Sequence, residues 1–78
     1  MPRYFFHVRS HEGFSEDHEG TEFNTDALAR IEAIQSAREM MAEKILKGEV
    51  IDGEVFEIVR EDGSLLEVLP FRSVVRLD

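Results

Sequence analysis

The sequence predicts an α+β domain: an antiparallel four-stranded sheet with one long helix packed on one face, in the order β-β-α-β-β. Three observations predict it. The stretch from Thr25 to Lys47 contains no Pro, Gly or Val and repeats its apolar residues at helical spacing. Short runs rich in aromatic and β-branched residues flank it on both sides. Glu61-Asp62-Gly63, a turn signal, separates the last two runs.

The first strand is Pro2 to Arg9, where Tyr4, Phe6 and Val8 share one face and Phe5, His7 and Arg9 the other. The first set is free of charge and is placed against the helix. Ser10 to Glu19 reads as a polar loop of ten residues, long for a hairpin connection, with Phe14 as its apolar anchor. Gly20 then leads into a short strand, Thr21-Glu22-Phe23, which runs into the helix.

Asn24-Thr25-Asp26 supplies residue types that cap a helix start, and Lys44, Lys47 and Gly48 suit its end. With Asn24 as the cap, Phe23 staples onto Leu28. Leu28, Ile31, Ile34, Met41, Ala42 and Ile45 recur as an apolar stripe, and Glu32, Ser36, Glu39, Glu43 and Lys47 lie opposite. The stripe is expected to face the sheet, since helix stability comes mostly from such packing. Two residues break the pattern: Arg38 on the apolar side and Met40 on the wet side. At 1.5 Å per residue the helix is about 34 Å long, whereas a seven-residue strand spans about 23 Å, so the helix should overhang its sheet.

Val50 and Ile51 in the connector are expected to tuck under the helix end. Val55 to Arg60 and Leu65 to Leu69 form a hairpin whose turn length decides which faces match. A two-residue turn pairs Ile58 with Glu67 and Glu57 with Val68, mixing charge into both faces. A three-residue turn with left-handed Gly63 pairs Ile58 with Leu66 and Phe56 with Val68. The second is preferred, for its clean core face of Phe56, Ile58, Leu66 and Val68. Val55, Val59, Leu65 and Leu69 then lie on the far face beside Phe5, covered by the tail after Pro70 or by a second chain. The expected strand order puts Thr21–Phe23 at one edge, then the first strand, then the hairpin.

Seventy-eight residues make one small domain, 1–78, with 42% apolar residues and no Cys. Such a chain buries only about 60–65% of its unfolded surface. A long helix without a covalent or metal staple therefore favours association, and a homodimer is expected. The interface candidates are Phe5, His7, Val59, Leu65, Leu69, Arg38 and Met40. Arg38 has two readings: a stem packed on the core with its head at the edge, or a salt bridge to Asp17 or Glu19 of a second copy.

Seventeen acids against nine bases give a net charge of −8. That argues against nucleic acid and anionic membranes and is compatible with a basic protein partner. Apolar runs are too short to span a membrane, and the N-terminus lacks a signal-peptide pattern, so the expected location is cytoplasmic. His11, His18 and Asp17 crowd the polar loop with Glu12, Glu16 and Glu19, a weak metal-ligand set whose spacing matches no compact motif. No Ser or Cys nucleophile has a matching base, the scattered glycines form no phosphate loop, and no cofactor is expected.

The opening Met1-Pro2-Arg3-Tyr4-Phe5-Phe6-His7-Val8-Arg9 resembles a family of small bacterial proteins, domain of unknown function 6894. So do Asp17-x-x-Gly20-x-Glu22, Ala37-Arg38-Glu39, and Glu61-Asp62-Gly63 followed by Pro70-Phe71. The resemblance implies one complete domain and no particular activity. The general layout also looks like the antitoxin half of HicA/HicB-type pairs, without their DNA-binding extension. Three readings of function follow: a self-associating protein-interaction module, an antitoxin-like regulator that masks a basic partner, and a metal protein or enzyme using the His-rich loop.

Overall fold

The computed structural model describes residues 2–49 and 53–74. The chain runs β1 (Arg3–Ser10), β2 (Gly13–Ser15), β3 (Thr21–Glu22), α1 (Asp26–Leu46), β4 (Val55–Arg60), β5 (Leu65–Pro70) and a 3-10 helix (Phe71–Val74). The expected α+β architecture is present: an antiparallel sheet ordered β2-β1-β4-β5, with one helix on one face. β3 pairs with β1 on the same side as β2 but further along, at Arg3↔Glu22 and Tyr4↔Thr21. The polar loop therefore contains a strand, because β1 turns back on itself and aligns Arg9 with Phe14.

Tyr4 is buried, and Phe6 and Val8 pack against the core, as β1's alternation requires. Phe56, Ile58, Leu69, Phe71 and Val74 complete the sheet side of that core. Phe56 is its hub, with ring centroids 6.0 Å from Phe6 and 4.7 Å from Phe71.

The helix departs from expectation in which side it buries. Ala29, Ala33, Ala37 and Met41 face the sheet, all at most 3% exposed. Ile31, at the centre of the expected stripe, is 50% exposed, and Ile45 is 60% exposed. The physical reason is volume. The sheet sends up aromatic rings, and a close-packed layer then has room only for small residues on the facing helix. Met40, expected to be wet, is half-buried against the core cluster. Thr25 is the N-cap, its Oγ1 accepting from the Leu28 amide at 3.1 Å. With Thr25 as the cap the staple positions shift to Asn24 and Ala29, and Phe23 packs on the rings of Tyr4 and Phe6.

The hairpin register also differs from the preferred one. Phe56 pairs with Leu69, Glu57 with Val68 and Ile58 with Glu67, and the register then slips so that Val59 pairs with Leu65. Leu66 is the extra residue of a bulge. Gly63 is left-handed as expected, at φ +89°. The bulge turns Leu66 and Leu69 inward and Val68 outward, so Leu69, 4% exposed, is a core residue and not part of the far face. The charge at Glu67 is tolerated on the helix side because Arg30 Nε meets its Oε1 at 2.7 Å. The turn of chain after Pro70 closes over the helix-side core, not over the far face, through Phe71 and Val74. Val50 and Ile51, and the tail beyond Val74, lie outside the described residues.

The alanine face sets a test. Ala33→Leu overpacks the layer between helix and sheet and is expected to cost about 1–3 kcal/mol in urea unfolding. Leu46→Ala, at a side chain 88% exposed, should stay within about 0.5 kcal/mol of the parent. Equal effects at the two positions would contradict the packing described.

Candidate functional site

The face of the sheet away from the helix carries a set of exposed and half-buried apolar and aromatic side chains. Strand alternation places Phe5, His7 and Arg9 of β1 on it, beside Phe14 of β2 and Val55, Glu57 and Val59 of β4. Leu65 and Val68 of β5 extend it. Phe14, Leu65 and Val68 are each about half exposed. The centre of the face is polar but satisfied. Arg9 pairs with Glu57 and lies over the Phe14 ring, 4.6 Å from its centroid. His7 stacks on Phe5 with ring planes 15° apart and approaches Phe14 at 5.3 Å.

The loop between β2 and β3 is fastened to this face by Asp17. Its Oδ2 accepts from the Phe6 amide at 3.1 Å, and its Oδ1 from the Glu19 and Gly20 amides at 3.3 and 3.1 Å. The Asp17 amide donates to His7 Nδ1 at 3.0 Å. Burial of the Asp17 carboxyl raises its pKa, but the three amide hydrogen bonds and the nearby His7 more than offset this, and the net shift is downward. Gly20 follows at φ +69°, with the Tyr4 carbonyl oxygen 2.8 Å from where a Cβ would stand. Glu22 pairs with Arg3 at 3.1 Å, and Arg3 also donates to the Glu19 carbonyl at 2.7 Å. Each fixed residue of Asp17-x-x-Gly20-x-Glu22 thus grips or clears β1, which is a structural role for the motif.

A second polar network ties the helix start to the hairpin. Tyr4 Oη donates to Asp26 Oδ1 at 2.7 Å, and Arg60 Nη2 meets Asp26 Oδ2 at 2.9 Å. The Arg60 hydrogen bond, then that of Tyr4, holds the Asp26 carboxyl below its ordinary pKa, while Asp26 pushes the Tyr4 phenol up. At the other end of the helix, Lys44 Nζ reaches buried Glu54 at 2.8 Å. Beside that pair, a cleft of about 390 Å³ is lined by His11, Glu12, Lys44, Glu49 and Glu54, among others.

The interface candidates read from the sequence separate into groups. Phe5, His7, Val59 and Leu65 share the open sheet face. Leu69 and Met40 are packed with the core cluster instead. Arg38 lies on the outer side of the helix, where its Nε donates to the Val74 carbonyl at 3.2 Å. Asp17, a candidate mate for Arg38 in a second copy, has both carboxylate oxygens engaged by amides of its own chain. His18 Nδ1 lies 3.5 Å from Glu16 Oε2, and His11 lines the cleft at the helix end. Among the described residues no three His, Asp or Glu side chains converge into a metal-binding group. Arg3, Arg9 and Arg60 are each ion-paired within the chain and form no free basic patch. No helix among the described residues is long and apolar enough to cross a membrane. Sequence reasoning missed Phe14 and Val68 on the open face, because an unseen strand placed one and an unseen bulge the other.

Two outcomes follow for the Asp17 clasp. Gly20→Ala must adopt a left-handed backbone and also displace the Tyr4 carbonyl, so it should cost more than Gly63→Ala, where only the backbone term applies. Urea titrations of the two variants compare these directly. Asp17 also makes stability acid-sensitive. Its folded pKa lies below the ordinary 3.8, so its contribution is complete above about pH 5 and is lost as pH falls through the lower folded value. Asp17→Asn should flatten that acid limb while lowering stability at neutral pH by about 1–3 kcal/mol.

Comparison with curated proteins gave no match, and comparison with solved structures gave none. The model of the family described as Domain of unknown function (DUF6894) matches residues 3–72, which include both polar networks, the helix and the hairpin, and the chain belongs to that family.

Proposed function

We propose that this chain works by binding and not by catalysis, as a small self-associating module, a homodimer, that also presents a surface to a protein partner. The observation that carries this reading is large apolar side chains uncovered on both broad sides of one thin domain. Phe14, Leu65 and Val68 lie on the sheet side, and Leu28, Ile31 and Ile45 on the helix side. Apolar surface rimmed by charge is the usual mark of an interaction site. A 78-residue chain without disulfides also gains much of its stability margin by covering such surface. The test is sedimentation equilibrium from about 5 to 500 μM, with a dimer expected to accumulate across the range. A monomer throughout would count against the proposal.

The net charge of −8 favours a second reading, in which the partner is a basic protein masked by this acidic surface. Its arginines are largely engaged by its own acids, so the surplus of carboxylates faces outward. Such binding should weaken steeply between about 50 and 500 mM salt.

A further inference from the structure

The outer face of α1 carries a pattern that its packing on the sheet does not use. Leu28, Ile31, Gln35, Arg38, Ala42 and Ile45 follow one another at alternating steps of three and four, and all six are exposed. This is the a/d spacing of a coiled-coil seam. At 100° per residue its centre lies about 150° from that of Ala29, Ala33, Ala37 and Met41, nearly opposite the core. Leu28, Ile31 and Ile45 are thus on the outside of the helix while three alanines, with Met41, fill its inside, so much of its larger apolar surface is not used by its own sheet.

We propose that this seam is the dimer interface, closed by α1 of a second copy running antiparallel. The proposal rests on the self-association reading above and adds where and in what register the copies meet. A two-fold axis between Ser36 and Ala37 sets Leu28 opposite Ile45, Ile31 opposite Ala42, and Gln35 opposite Arg38. The seam is then complementary to itself: apolar layers at both ends and a polar layer on each side of the axis. In that layer the Gln35 amide oxygen accepts from an Arg38 terminal nitrogen. The bond to Val74 is made by Arg38 Nε, and among the described residues neither terminal nitrogen is engaged, so both can serve this contact. A parallel, in-register pair instead sets Arg38 against Arg38, two like charges in one layer.

One flank of the seam carries Glu32 and Glu39 and the other carries half-buried Ile34, so the copies lean toward the Ile34 side and leave the acids in water. The dimer has the layers sheet–helix–helix–sheet and keeps the open sheet faces outward for another partner. A seam one helix wide and about 26 Å long belongs among small interfaces, under about 1,200 Å² in total, which fits a dimer of micromolar affinity.

The chain has no cysteine, which allows a clean cross-linking test. Leu28→Cys and Ile45→Cys are made as separate variants, then oxidised alone and as an equimolar mixture. The mixture should give a disulfide-linked dimer in at least tenfold higher yield than either variant alone. Equal cross-linking of Leu28→Cys with itself would mean a parallel pair and overturn the register. Sedimentation equilibrium adds two further variants, both checked for folding by circular dichroism. Ile31→Glu should raise the dissociation constant at least tenfold, and Val59→Glu on the sheet face should leave it unchanged. The opposite result would keep the dimer and overturn the seam. A wild-type monomer at all concentrations would overturn both, and one that dimerises only after removal of residues 75–78 would assign the seam to the chain's own tail.

Discussion

The rotation of α1 about its own axis is the constraint from which the rest of the molecule follows. The sheet delivers Phe6 and Phe56, and the 3-10 helix delivers Phe71, into the layer beneath the helix, and these rings take up most of its depth. Alanine is what fits, so Ala29, Ala33 and Ala37 turn inward while Ile31 and Ile45 turn out. Three ionic contacts hold that rotation along the length of the helix. Asp26 meets Arg60 at the start, Arg30 meets Glu67 further along, and Lys44 meets Glu54 near the end. The first two are surface pairs, each worth little alone. Their value is directional, since they pin one face of the helix where packing of small methyl groups leaves it free to roll.

The same economy of small residues explains the Asp17 loop. The five-residue connection between β2 and β3 has no apolar side chain to be held by burial, so hydrogen bonds hold it. One carboxylate satisfies three amides, and Gly20 lets the backbone pass within contact of Tyr4 and Phe5. The loop in turn supports the open face, because His7 accepts from the Asp17 amide while stacking between Phe5 and Phe14. Loop and face form one unit, and the carboxylate that looked like a metal ligand in the sequence is consumed in building it.

The class of fold was legible because period-2 and period-3.6 patterns survive in the residues themselves: Tyr4-Phe6-Val8 and the unbroken run into Lys47. What was not legible depended on comparing sizes across elements. The helix has two apolar sides, and hydrophobicity alone favours the one with larger residues; only the volume of the facing aromatics selects the alanines. The hairpin register failed for a related reason. A clean apolar face at Leu66 and Val68 looked better than one containing Glu67, but Arg30 arrives from the helix to neutralise it, and a bulge absorbs the slip. β2 was missed because Gly13-Phe14-Ser15 has too little strand character without Arg9 opposite. Of the candidate surface, Phe5, His7, Val59 and Leu65 followed from alternation, whereas Leu69 did not, being displaced inward by that bulge.

Sheet edges are the other route by which small α+β domains associate, and here both are blunted. β2 is only three residues long and begins at Gly13, too short to template another strand. β5 is longer, but it carries the bulge at Leu66, a charge turned toward the helix at Glu67, and Pro70 at its end. Each of these devices discourages strand addition. With the edges closed, apolar surface remains only on faces. The sheet face is interrupted at its centre by Arg9 and Glu57, which are already partnered and would have to be desolvated as a pair. The helix face carries no ion pair along its centre line, only Gln35 and Arg38 between apolar ends. Covering it displaces water mostly from hydrocarbon, so of the two broad surfaces the helix is the less costly to bury against a second copy, and the sheet face is better suited to a partner that brings its own charges.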